Sequence, residues 1–200
     1  RQPQMCIRDR LNLLLTGCPY PFTQPANTVN GFMKRCIPFS ENATAEILAA
    51  KPSTVFIIST TTAATAEGET VDPGLDETLR KLTDAGIQVI GIRDNPRFAS
   101  DMYMCAMKAK NIDDCSEPVE AKYGDDPAAP IFAKYADRGA YQIDLKDVYC
   151  PDGKCSVIQG NVYMYADSNH LTNVYEATLT DIIYERALAA GWDPKGTTAK

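Results

Sequence analysis

The 200-residue chain has a single histidine, His170, and none of its seven cysteines forms a CxxC pair. A zinc site of two cysteines and two histidines is therefore excluded, and the short knuckle spacings of all-cysteine sites are missing. Long apolar runs are absent too. Runs such as Leu13–Leu15 and Val55–Ile58 are strand-sized against the roughly 18 residues of a membrane-crossing helix. There is no excess of positive charge: 20 Lys and Arg stand against 26 Asp and Glu, for a net charge of −6. The basic residues are scattered, which argues against a phosphate-tracking surface and against nucleic acid as a partner. Nor is the composition biased, since 44% apolar and 23% charged residues describe a globular chain whose length suits one domain.

The cysteines that are present carry information about compartment. Cys105 and Cys115 flank a polar stretch, and Cys150 and Cys155 bracket the turn sequence Pro151-Asp152-Gly153-Lys154, so each pair would close a small loop. Cys18 and Cys36 then remain, in a segment rich in Pro and Asn. Six cysteines allow about 15 pairings, and free thiols in a cytosolic protein are the competing reading. Three disulfides would place the chain in an oxidising, extracytoplasmic compartment. No signal peptide is visible, so export would be specified by sequence elsewhere.

Apolar patterning predicts alternating strands and helices. Residues Leu11–Thr16, Ser53–Ser59, Ile87–Ile92 and Ala140–Leu145 read as short buried strands, and Val157–Tyr165 as a hairpin or extended excursion. Helices are predicted over Asn42–Ala50, after Asp72 as N-cap until Gly86, and over Thr172–Ala189. Strands apolar throughout, alternating with helices, imply a parallel sheet covered on both faces in a three-layer α/β/α domain. Sites in such sheets gather beyond the carboxyl ends of the strands, here Gly17, Ser59–Thr62, Arg93–Asn95 and the stretch before the last helix. Arg93 and Asp94 read there as a structural ion pair. The tail from 191 to 200 is expected to fray.

The only histidine lies in Asp167-Ser168-Asn169-His170, on a turn entering the final helix. An aspartate three residues ahead can reach the imidazole, fix its tautomer and stabilise the imidazolium that forms when the other nitrogen takes a serine proton. The blander interpretation is that Asp167 or Asn169 caps the helix beside an exposed histidine. Tyr163 and Tyr165 would either line a cleft or pack beneath the helix.

This stretch resembles the last sequence block of the SGNH (GDSL-like) hydrolases, and more narrowly the SGNH domains fused behind acyltransferase-3 membrane domains in bacterial O-acyltransferases. The resemblance runs from about Leu11 to Ala189. It rests on Thr16-Gly17-Cys18-Pro19, Ile92-Arg93-Asp94-Asn95-Pro96, the paired Cys150 and Cys155, and Asn161-Val162-Tyr163 leading into Asp167–Thr172. It implies a flavodoxin-like parallel sheet, and serine acyl-enzyme chemistry with His170 as base, Asp167 as its orienting acid and Gly17 as an oxyanion donor. It also implies an acyl donor delivered through a membrane acyltransferase domain and a cell-envelope glycan as acceptor, at the outer face of the bacterial membrane, without metal or cofactor.

Two features depart from the family. Ser59, Thr60, Thr61 and Thr62 stand where its oxyanion asparagine belongs, and no GDS or GxSxG block surrounds any of the seven serines. The nucleophile would therefore lie ahead of Leu11. Residues 1–10 hold no serine and three arginines, and they read as extraneous. The expectation is an SGNH-like domain over 11–190 that lacks its first, central strand and is inactive by itself. The rival expectation is a non-catalytic extracytoplasmic module, glycan-binding or structural.

Overall fold

The computed structural model describes residues 10–195. The segment expected to be extraneous thus lies outside the described residues except for Arg10, as do residues 196–200. In chain order the elements are α1 (Cys36–Ala50), β1 (Thr54–Ile58), α2 (Leu75–Asp84), β2 (Gln88–Ile92), α3 (Met102–Lys108), β3 (Glu117–Pro118) and α4 (Ala129–Ala133). They continue with β4 (Ala140–Ile143), α5 (Lys146–Tyr149), β5 (Lys154–Cys155), β6 (Ile158–Gln159), β7 (Val162–Tyr163), α6 (Asn173–Thr178) and α7 (Thr180–Ala190).

The central sheet is parallel, in the order β1-β2-β4. Strand side chains alternate between its faces, and each face has its own core. Ile57 and Val89 pack with Leu75, Leu79 and Leu82 of α2 and Phe132 of α4, while Ile90 and Ile143 pack with Tyr175, Leu179 and Ala187 of the last two helices. The α/β/α layering predicted from the strands is therefore observed.

Gly91 makes close packing possible on the first face. A Cβ built there would lie 2.2 Å from Cζ of Phe132. Gly91→Ala is expected to cost about 1–3 kcal/mol through overpacking, read as a lowered urea midpoint at unchanged m-value. An unchanged midpoint would contradict this account of the α4 contact.

Several boundaries differ from the pattern-based expectation, each for a physical reason. Residues 11–16 form no strand: Leu11 is 61% and Leu14 86% exposed. A strand needs a ladder partner for its backbone groups, and none stands beside this run among the described residues. Asp72 does not cap α2, because its carboxylate accepts from Thr23 and from the amide of Gly74, and the helix starts at Leu75. The single last helix is two, parted at Leu179. Thr178 Oγ1 donates to the carbonyl of Tyr175 just before the break, a side-chain bond that bends helices. The beginning of the tail is not frayed: Trp192 Nε1 donates to Thr54 Oγ1 at 3.0 Å, and the Asp193 amide donates to Gln88 Oε1 at 3.0 Å.

All three expected disulfides are present, Cys18–Cys36, Cys105–Cys115 and Cys150–Cys155. The first joins the irregular N-terminal segment to α1; the others brace the excursions around α3 and after α5. The short β3–β5 ladder pairs Glu117 with Cys155, so the second and third bridges lie on adjoining segments.

In a parallel ladder alternate residues turn their backbone groups to opposite neighbours. Gln88 N donates to Ser53 O and Ser59 N donates to Ile92 O, so the odd residues of β1 serve β2. Thr54, Phe56 and Ile58 therefore turn their amides and carbonyls toward the other edge, which no strand occupies among the described residues. Phe56 and Ile58 are 49% and 51% exposed.

Candidate functional site

Asp167 and His170 come together as the sequence predicts. The His170 Nδ1 lies 2.6 Å from Asp167 Oδ2, while Asp167 Oδ1 accepts from the amides of Asn169 and His170, each at 2.8 Å. The turn is closed by the Ala166 amide donating to the His170 carbonyl and by a bridge between Tyr165 and Leu171. Thr172 then caps α6 by accepting from the Tyr175 amide. The helix-capping role weighed for Asp167 or Asn169 thus falls to Thr172.

This geometry sets the charge state of the carboxyl. Partial burial pushes Asp167 up, but the amides of Asn169 and His170 and the His170 ring outweigh it and bring the carboxyl down to about 2. An ionised carboxylate only accepts hydrogen bonds, so the proton of the neutral imidazole sits on Nδ1. Nε2, on the far side of a ring whose side chain is 74% exposed, is free to take a proton from a nucleophile.

The loop after β2 forms the wall beside this turn. Asp94 accepts from Thr62 N and Thr62 Oγ1, and its own amide donates to Thr60 Oγ1. Burial pushes the Asp94 carboxyl up against these hydrogen bonds. Thr60 and Thr62 are buried and engaged in this lattice, while the buried Ser59 hydroxyl accepts from Gln142 of β4 and Thr61 pairs with Thr70. Of the residues standing in place of an oxyanion asparagine, Thr60 and Thr62 therefore hold the two loops together.

Arg93 and Asp94 do not pair, which corrects the sequence-based expectation. Consecutive residues leave β2 on opposite faces, so Asp94 turns to Thr62 and Arg93 to other carboxylates. The Arg93 guanidinium, 2% exposed, meets Glu69 through two nitrogens at 2.9 and 2.6 Å and Asp144 at 2.9 Å. It also donates to the carbonyl of Gly124.

Gly17 sits apart from the histidine turn in its bonding. Arg35 reaches the neighbouring Thr16 carbonyl, and Cys18, next in sequence, is bridged to Cys36, so this turn is fastened to the start of α1. With φ of +74°, its backbone favours glycine. No hydrogen bond links it to Asp167 or His170. Tyr165 is 1% exposed and packs edge-on against Phe98, so it lies beneath the turn and lines no cleft. Tyr163 pairs edge-on with Tyr103 nearer the surface.

Sequence reasoning missed Arg97 and Lys122. Arg97 donates to Asn169 Oδ1 at 2.8 Å, beside the histidine. Lys122, 1% exposed, donates to the carbonyls of Ala64 and Arg97 and pairs with Glu117. No periodicity marks such residues; a buried lysine in Glu120-Ala121-Lys122 looks like ordinary solvated surface. Among the described residues no cluster of His, Cys, Asp and Glu is arranged to hold a metal, and no helix is long and apolar enough to cross a membrane.

No curated protein matches the sequence. One solved structure with a similar arrangement is the periplasmic domain of the lipopolysaccharide acetyltransferase of Salmonella ser. Paratyphi A, at 13% identity and a TM-score of 0.48. The alignment covers 76% of this chain and 63% of that one, so the chain spans less than two thirds of that domain. A sequence model of SGNH domains fused to AT3 domains matches residues 11–185, a stretch that holds the Asp167–His170 turn, the central sheet and all three disulfides. On that match the chain belongs to the family of SGNH domains fused to AT3 domains.

Proposed function

We propose that this domain handles an acyl group, most simply acetyl, passed to a hydroxyl of a cell-envelope glycan on the outer side of the bacterial membrane. The observation that carries the reading is the ionised Asp167 fixing the His170 tautomer with Nε2 free. In this scheme a serine contributed by sequence outside residues 10–195 attacks the acyl carbon. His170 Nε2 takes the serine proton and returns it to the leaving group, and Asp167 stabilises the imidazolium between the two steps. Gly17 would supply an oxyanion amide. A sugar hydroxyl, or water, then resolves the acyl-enzyme with His170 again as base. Water as acceptor makes the same site an esterase.

Family membership supports the association with a membrane acyltransferase domain, and the three disulfides suit an oxidising compartment. Fluorophosphonate labelling tests the proposal. Protein expressed together with its upstream coding sequence is expected to label on a serine ahead of Leu11, and His170→Ala to abolish that labelling. The 200-residue chain is expected to stay unlabelled. Labelling of a serine within residues 10–195 would overturn the scheme. A second reading, a non-catalytic glycan-binding or structural module, draws on the absence of an oxyanion asparagine at Ser59–Thr62. An unlabelled upstream-extended protein would favour it.

A further inference from the structure

We infer that Arg97 is a positioning residue for His170, acting through Asn169. The inference rests on reading Asp167 and His170 as an acid–base pair. The side chains of both are well exposed, 43% and 74%. The bonds between them shape the turn, but they cannot aim it. A reacting group must be held to within about 0.5 Å of its productive place by partners that are themselves fixed.

Those partners all come from one segment, the loop after β2 and the start of α3. The Met102 amide donates to the Asp167 carbonyl at 3.2 Å, and the Phe98 amide donates to the Ser168 carbonyl at 2.8 Å. Asn95 Nδ2 donates to the Asn169 carbonyl at 2.7 Å. These three end on main-chain oxygens. Arg97 makes the one bond from this loop to a side chain of the turn, its terminal nitrogen donating to Asn169 Oδ1 at 2.8 Å.

Two further contacts make Arg97 a bridge. Its Nε donates to the Thr62 carbonyl at 3.3 Å, on the loop after β1, and its own carbonyl accepts from the buried Lys122 ammonium. The planar guanidinium thus ties the loops after both strands to Asn169. The amide of Asn169 donates to the Asp167 carboxylate, so a displaced Asn169 loosens the carboxylate that orients the imidazole. A lysine has a single nitrogen at its tip and cannot span Thr62 and Asn169 together.

Because His170 is the only histidine, its ring nitrogens can be read without overlap in the 15N-labelled 200-residue chain. Long-range proton–nitrogen correlation in alkaline buffer reports the tautomer. In the unaltered protein one Nδ1–H tautomer is expected. Arg97→Ala should replace it by a mixture of the two, with the amide signals of β1, β2 and β4 unmoved, and Arg97→Lys should not restore it. Ring nitrogens at their original positions in folded Arg97→Ala protein would overturn the inference. If that variant does not fold, Asn169→Ala removes the same bond from its other end, and unchanged ring nitrogens there would overturn it equally. No turnover enters this measurement. Failure of the acyl-transfer proposal would therefore appear in the labelling experiment, separately from this one.

Discussion

Arg93→Met is expected to lower the stability of the domain by about 3–5 kcal/mol, the usual cost of breaking a buried ion pair from one side. Against the ~5–15 kcal/mol that stabilises a typical domain, this is a large share of the total. The cause is what remains. The Glu69 side chain is 2% exposed, and without Arg93 its carboxylate would be buried with no cation to answer it. Asp144 and, at 3.9 Å, Asp126 would lose the same cation. Arg93 also joins three parts of the molecule, since Glu69 lies before α2, Gly124 before α4 and Asp144 just after β4. Urea denaturation of the single variant tests the magnitude, and the double variant Arg93→Met, Glu69→Leu tests the mechanism. Replacing both partners by apolar groups should recover part of the loss, because the most deeply buried of the orphaned carboxylates is then gone. A single variant within about 0.5 kcal/mol of the unaltered protein, the range of ordinary surface substitutions, would show that the cluster carries no such energy.

Asp167→Asn is expected to reduce kcat by about 10,000-fold in a protein that contains the serine, with little change in KM, as loss of tautomer control does in serine hydrolases. The turn explains why so small a change would have so large an effect. Oδ1 of an asparagine could still accept from the amides of Asn169 and His170, so the backbone would keep its shape. Its Nδ2 would then face the imidazole Nδ1, and a donor there favours the tautomer with the proton on Nε2. That ring cannot take a proton from serine. Steady-state kinetics on an acetyl ester would show the loss, and a reduction below tenfold would remove Asp167 from the mechanism. The pH dependence follows from the same bonds. A carboxyl held at about 2 in the folded protein is ionised throughout the working range, so an acid limb of the rate profile belongs to another group. Its folded value lies below the ordinary carboxyl value, so its stabilising contribution is present above about pH 4 and is lost only as pH falls toward 2.

What could be read from the sequence followed from patterns that a single segment carries. Val55–Ile58 and Ile87–Ile92 are short, apolar and rich in β-branched residues, the pattern of strands, and both occupy the central sheet, although Phe56 and Ile58 stay half-exposed. Asp167 and His170 are three residues apart, so their meeting is a local event that spacing could foresee. The cysteine pairs at 105–115 and 150–155 are equally local. The misread elements depend on distant partners. Leu11–Thr16 has a strand's composition but, among the described residues, no neighbour to complete its ladder, and Asp72 looks like a cap until Thr23, 49 residues away, takes its carboxylate. Arg97 and Lys122 act across separations of 72 and 58 residues, and their importance arises only once folding has brought those segments together.

The lone tryptophan stands at a useful place. Trp192 meets Phe56 and Tyr184 edge-on at 5.6 and 5.7 Å, and its indole nitrogen is anchored on Thr54. Thr54 and Phe56 are the residues whose main-chain groups face the side of β1 that no strand occupies among the described residues. The chain thereby carries an intrinsic fluorophore at that edge. A strand arriving there, from a neighbouring segment or a second molecule, would change the polarity around one indole, and its docking could be followed in real time as a shift in emission with no label attached.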